Sequence, residues 1–210
     1  MESIVALASI LGALLIGAIS PGPSFVLVAR ISIARSRRDG LAAALAMGVG
    51  GVILGGLALL GLRALLMQAG WLYLGLKVVG GLYLIYLGVR LWRGAREPIA
   101  FADGERARAQ PARSFAIALA TQLSNPKAAV IYGSIFAALL PAHPSLWMCL
   151  ALPPLILLVE AGWYVVVALV FSSTQPRAAY LHSKRWIDRL AGSVMGVLGV
   201  RLIVDGGRPA

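Results

Sequence analysis

Two ionisable side chains stand deep inside apolar sequence. Lys127, in TQLSNPKAAVIY, lies 14 residues after Arg113 and 14 before Pro141, with no other charge between them. Glu160, in LPPLILLVEAGWYVV, lies 12 residues before Ser172. On membrane-crossing helices both would sit near mid-depth, where a charge costs about 2.5–3.5 kcal/mol on insertion scales and marks substrate, ion or proton pathways. Opposite signs at one depth invite pairing. The pair is either a structural ion pair between two helices or a substrate or proton site. Trp163 and Tyr164 lie three and four residues beyond Glu160, on the same helix face. They wall a pocket beside it or pack against lipid and neighbouring helices. Lys77 stands six residues inside Trp71. It either snorkels to the surface along its stem or turns inward with Gly80 and Gly81, whose small size suits close helix contact.

The backbone adds a second signal. Pro21, Gly22 and Pro23 fall within a run from Ser3 to Ala29 that carries no charge. Proline removes a backbone donor and clashes with the preceding turn, at a cost of about 3 kcal/mol in a helix interior. It also drives the residue before it out of the helical region. Asn125 and Pro126 repeat the break immediately before Lys127. Backbone groups freed at such breaks are tolerated at membrane depth only inside protein or against a wet cavity.

These residues need elements to hold them, and composition says which kind. The chain is 60% hydrophobic and 13% charged over 210 residues, with mean hydropathy +0.85. Soluble domains average about 25% charged residues, so the composition is that of an all-α integral membrane protein. Runs of about 20 apolar residues predict six spans, at about 4–29, 40–62, 71–90, 114–140, 146–171 and 187–204. The first run follows Glu2 with no basic residue before it, which reads as a retained helix, not a signal peptide. The net charge of +11 is topological and does not indicate nucleic acid. Of 19 basic residues, 14 lie in the segments 30–39, 90–113 and 172–189. The positive-inside rule puts these in the cytoplasm and both termini on the outer face.

Residues 1–92 form a first three-helix half, 93–113 a polar cytoplasmic linker and 114–210 a second half, all in one transmembrane domain. Three spans per half make the halves opposite in topology, as in the inverted repeats of transporters. Aligning Pro23 with Pro126 places an interrupted helix first in each half. Pro153 and Pro154 are expected to kink or loosen the fifth span. The pairs Gly51-xxx-Gly55 and Gly192-xxx-Gly196 allow close backbone approach, within the chain or in a homodimer.

SPGP in the first span, NPK in the fourth, LKVVGGLYLIYLGVRLWR in the third and DRLAGSVMGVLGVRL in the sixth together resemble the LysE/RhtB family of bacterial amino-acid exporters. The resemblance runs over about residues 3–204. It implies an inner-membrane exporter, not an enzyme, that moves amino acids or close derivatives out of the cytoplasm on the membrane gradient, without cofactor. Family specificities span basic amino acids, homoserine and threonine, leucine and cysteine, and a distant branch exports cadmium. The resemblance carries over to Pro21, Gly22, Pro23, Asn125, Pro126 and Lys127. Glu160 falls where many relatives have aspartate.

The expected mechanism combines both lines. Half-helix N-termini favour anions, so with Lys127 they would hold a substrate carboxylate. Glu160 would hold the substrate ammonium or carry a coupling proton, and rocking of the halves would alternate access. A metal exporter would need converging carboxylate, His or Cys ligands. The sequence offers one membrane cysteine, Cys149, and two separated histidines, His143 and His182. One cysteine also excludes an intramolecular disulfide and a CxxC redox pair.

Overall fold

In the computed structural model, described for residues 2–68, 70–95, 109–141 and 143–206, every element is helical. They are α1 (Glu2–Ile19), α2 (Pro23–Ala34), α3 (Arg37–Gln68), α4 (Gly70–Gly94), α5 (Pro111–Leu123), α6 (Pro126–Leu139), α7 (Leu146–Phe171) and α8 (Thr174–Gly206). The segment read as the first span is therefore two helices, bent by 58° at the Pro-Gly-Pro break. The segment read as the fourth span is also two, α5 and α6, parted at Ser124 and Asn125. Pro23 and Pro126 each occupy the first positions of the new helix, where the missing N–H has no intrahelical partner to lose and the fixed φ suits the helix. α7 runs unbroken through Pro153 and Pro154.

Among the described residues α3 (over Arg37–Gly61) and α7 are each long and apolar enough to cross a membrane, and the α1–α2 pair is so only when taken together across its bend, as a broken span or a re-entrant loop. α6 is apolar but short. α8 differs from its expected bounds. The basic segment at 172–189 reads as a loop, yet the helix begins at Thr174. Lys and Arg are good helix formers. Counting apolar residues finds only the length fit for lipid and misses a helix that continues beyond it.

α3 packs chiefly on α7, and α4 on α8. Glycines line both contacts, and α4 and α8 meet backbone to backbone. A Cβ on Gly88 would stand 2.6 Å from the Gly192 carbonyl oxygen, and one on Gly199 would stand 2.5 Å from that of Gly81. Because 88 faces 192 while 81 faces 199, α4 and α8 run antiparallel. On α3, Gly48 faces Ala161 and Leu157, Gly51 faces Glu160 and Tyr132, and Gly55 faces Ile156 and Tyr132. The small residues thus make close contacts within the chain.

Two apolar clusters form the core. One gathers Ile10, Leu14, Leu84, Phe136, Ile156 and Met195 among others; the second gathers Phe25, Val28, Met47, Tyr164 and Phe171. α1 serves chiefly the first, with Ala18 reaching the second, and α2 serves the second, with the Pro-Gly-Pro break at the boundary. Glu160 lies between Ile156 of one cluster and Tyr164 of the other. Among the described residues the second cluster draws on α1, α2, α3, α5 and α7 and takes nothing from α4 or α8. The glycine-joined α4–α8 pair shares only the first cluster, and a cavity lies between this pair and the two breaks.

A polar knot ties α3 to α5 at their N-termini. Asp39, fully buried, accepts at Oδ1 from the Gln110 N–H (2.9 Å) and from Ser114 Oγ (2.7 Å), and at Oδ2 from Ser36 Oγ. The Asp39 N–H donates back to Ser36 Oγ at 3.1 Å, so the Ser36 hydroxyl caps the start of α3.

Candidate functional site

The two breaks meet. Lys127 Nζ donates to the carbonyl oxygen of Ser20 and to Ser20 Oγ, each at 2.9 Å, so an amine from the second break satisfies a carbonyl freed by the first. Asn125 caps α6 by accepting from the Lys127 N–H at 3.0 Å. Its Nδ2 donates to Ser24 Oγ at 2.9 Å, and Ser24 Oγ donates to Gln122 Oε1 at 2.6 Å. This chain crosses from α6 to α2 to α5 among buried side chains. Gly22 permits the approach. A Cβ there would stand 3.1 Å from both Cδ and Nζ of Lys127, while its extended backbone (φ −160°) would suit any residue.

Glu160 sits behind this layer, 4% exposed. Tyr132 Oη donates to its Oε1 at 3.0 Å, and its Oε2 is buried with no hydrogen-bond partner among the described residues. Lys127 and Glu160 do not form the ion pair that their shared depth invites, since Lys127 turns to Ser20. Gly51 makes room for the carboxylate: a Cβ there would stand 2.6 Å from Tyr132 Oη and 3.0 Å from Glu160 Cγ. Gly50 does the same for Gln122, at 2.6 Å from its Cγ.

Two cavities adjoin these groups. The larger, about 580 Å³, is lined by Pro21, Gly22, Pro23, Asn125, Pro126 and Lys127 on one side of the fold's boundary, with Tyr83, Tyr86, Arg90 and Arg93 from α4 and Asp188 from α8. Its size falls in the range of roughly 300–1,000 Å³ typical of small-molecule sites. The smaller, about 30 Å³, is bordered by Ser20, Ser24, Gln122, Lys127, Tyr132 and Glu160, and its volume is about one water's share of the liquid. Gly22, Asn125 and Lys127 border both and form the partition.

The residues picked out by sequence thus divide. Pro21, Gly22, Pro23, Asn125, Pro126 and Lys127 come together at the large cavity, and Glu160 and Tyr164 lie on the small one. Trp163 lines neither and packs against the second apolar cluster. Lys77 is a residue of α4 whose side chain lies outside the described residues. Sequence reasoning missed Ser20, Ser24, Gln122 and Asp188. Gln122 and Asp188 were findable as polar groups within or beside apolar runs; the serines carry no such signal. Asp39 was findable from Ser36-x-x-Asp39 at a helix start. Among the described residues no three His, Cys, Asp or Glu side chains converge as metal ligands.

Known proteins share this chain's pattern. The family profile described as "LysE type translocator" matches residues 15–206. The threonine efflux protein of Escherichia coli (strain K12) is 32% identical over 193 residues, covering 91% of this chain and 94% of that protein. The threonine efflux protein of Salmonella typhimurium is 33% identical with the same coverage. The Escherichia coli membrane protein YahN is 30% identical over 206 residues, 98% of this chain and 92% of its own. No solved structure matches the chain.

Proposed function

The chain belongs to the LysE type translocator family of membrane transporters and is not an enzyme, and from this premise we propose that it exports small α-amino acids, threonine among them, by alternating access coupled to the proton gradient. The observation that carries the reading is the convergence of two half-helix N-termini and one lysine on a single cavity. Helix N-termini carry partial positive charge, and with the Lys127 ammonium they suit a carboxylate. The curated relatives named as threonine efflux proteins supply the substrate class.

In this reading the six spans are two inverted repeats: α1–α2, α3 and α4, then α5–α6, α7 and α8. The antiparallel pairing of α4 with α8 and the paired breaks support it. The positive-inside rule places both termini at the periplasmic face. The C-terminal end of α4 and Asp188 then stand toward the cytoplasm, so the large cavity loads from inside. Rocking of the α4–α8 pair, which the second apolar cluster does not hold, would open and close it.

Glu160 serves as the proton-coupling group, reached from the substrate cavity across the Lys127 partition. The test is L-threonine flux in proteoliposomes. The wild type is expected to show threonine counterflow and uphill movement driven by an imposed pH gradient. Glu160→Gln is expected to keep counterflow and lose the uphill component. No flux with any amino acid of a full panel would sink the export reading; undiminished uphill transport by Glu160→Gln would sink the coupling role alone.

A further inference from the structure

An α-amino acid carries two charges, and the large cavity offers more than a place for its carboxylate. Among the described residues lining it, Lys127, Arg90 and Arg93 are cationic and Asp188 is the one acid. Asp188 is 2% exposed, so its carboxylate is held out of bulk water at the cavity wall. There its attraction for a cation is stronger than at an open surface. Tyr83 and Tyr86 line the same cavity, with ring centroids 6.0 Å apart and planes tilted by 42°. A buried carboxylate that shares a cavity with two aromatic rings is chemistry suited to an ammonium ion, through charge and through the negative ring faces.

Glu160 does not compete for this role. It is absent from the lining of the large cavity, and the Gly22–Asn125–Lys127 partition stands between it and that space. The geometry assigns Asp188, with Tyr83 and Tyr86, as the pole that binds the substrate's α-ammonium group, while Lys127 and the two half-helix starts bind its carboxylate. This assignment rests on the amino-acid export reading and divides the labour within it: substrate charge is read at Lys127 and Asp188, and the coupling proton is handled at Glu160. Selection for an α-amino acid over a plain hydroxy acid then comes from α8.

The test is competition for radiolabelled L-threonine binding to purified protein, with unlabelled L-threonine and with 3-hydroxybutanoate, its analogue without the amine, as the probes. The wild type is expected to prefer threonine strongly. Asp188→Asn is expected to lose roughly 30-fold or more in threonine affinity, the usual effect of removing one partner of a buried charge pair, while its affinity for 3-hydroxybutanoate stays within about twofold of the wild type's. Asp188→Glu keeps the charge and is expected to keep most of the preference. Equal losses for both probes in Asp188→Asn, or no loss for either, would overturn the assignment.

A measurement on the wild type covers the case in which Asp188→Asn does not fold. L-Threonine is expected to protect Asp188 from carbodiimide modification, read by mass spectrometry, and 3-hydroxybutanoate is not. Equal protection by both, or by neither, would overturn the assignment. A wild type that binds no amino acid fails the export reading itself, which separates the two failures.

Discussion

The two helix breaks occupy matching places in the chain and solve the same problem differently. At Pro21-Gly22-Pro23 the new helix starts on a glycine, and no side chain caps it. At Asn125-Pro126 the asparagine caps the new helix from its own side chain, and the next residue is the lysine. The first break exposes backbone; the second supplies the polar groups. Lys127 reaches the carbonyl of Ser20, and Asn125 reaches Ser24, so the second break completes the first. Repeated backbone geometry therefore does not entail repeated chemistry: one half provides the opening and the other the charge.

This asymmetry predicts unequal costs of repair. Pro21→Ala combined with Pro23→Ala removes two steric obstacles to a continuous helix, each of about 3 kcal/mol, with no cap to oppose closure. Threonine flux in proteoliposomes is expected to fall by roughly 100-fold or more. Pro126→Ala leaves the Asn125 cap, which contributes about 1 kcal/mol toward starting a helix there, and flux is expected to fall only about tenfold. Equal losses at the two sites would show that capping does not distinguish them.

Gly22→Ala acts next in size. Its Cβ would press on the flexible end of Lys127 and not on backbone. The detergent-solubilised protein should melt within about 2 °C of the wild type, a change of under about 1 kcal/mol for a chain of this length, while flux drops several-fold as the ammonium leaves Ser20. A large fall in melting temperature would mean that the lysine cannot yield. Ser20→Ala should matter least. It removes one of two acceptors for Lys127 Nζ and leaves the carbonyl, so a loss of roughly 1 kcal/mol in the lysine's anchoring is expected, read as a fall in flux of less than about fivefold.

Much of this was legible in the residues. Proline and glycine act through local sterics, so both breaks could be placed to within a residue or two. The buried charges stood out because apolar runs make any charge conspicuous. Sequence gives depth along a helix but not the direction a side chain faces. Lys127 and Glu160 therefore looked like partners, although the lysine turns across the fold to Ser20. Asp188 stands at the start of the last apolar run, where sequence gives no sign of a partner, and the packing of α8 on α4 brings it to the cavity. The glycine contacts show the same limit. Gly192-xxx-Gly196 was visible as a local motif, and Gly88 packs against both of its glycines; a second contact, Gly81 to Gly199, lies seven residues away on each helix. That pairing exists only once two distant segments are set antiparallel.

The central claim is that the paired breaks, through Lys127, hold the substrate. Equilibrium binding of radiolabelled L-threonine to purified wild type and Lys127→Met tests it most directly. Saturable binding by the wild type and a loss of at least roughly 30-fold in the variant, with the variant still monodisperse, is the predicted result. A well-folded Lys127→Met that binds threonine with undiminished affinity would contradict it.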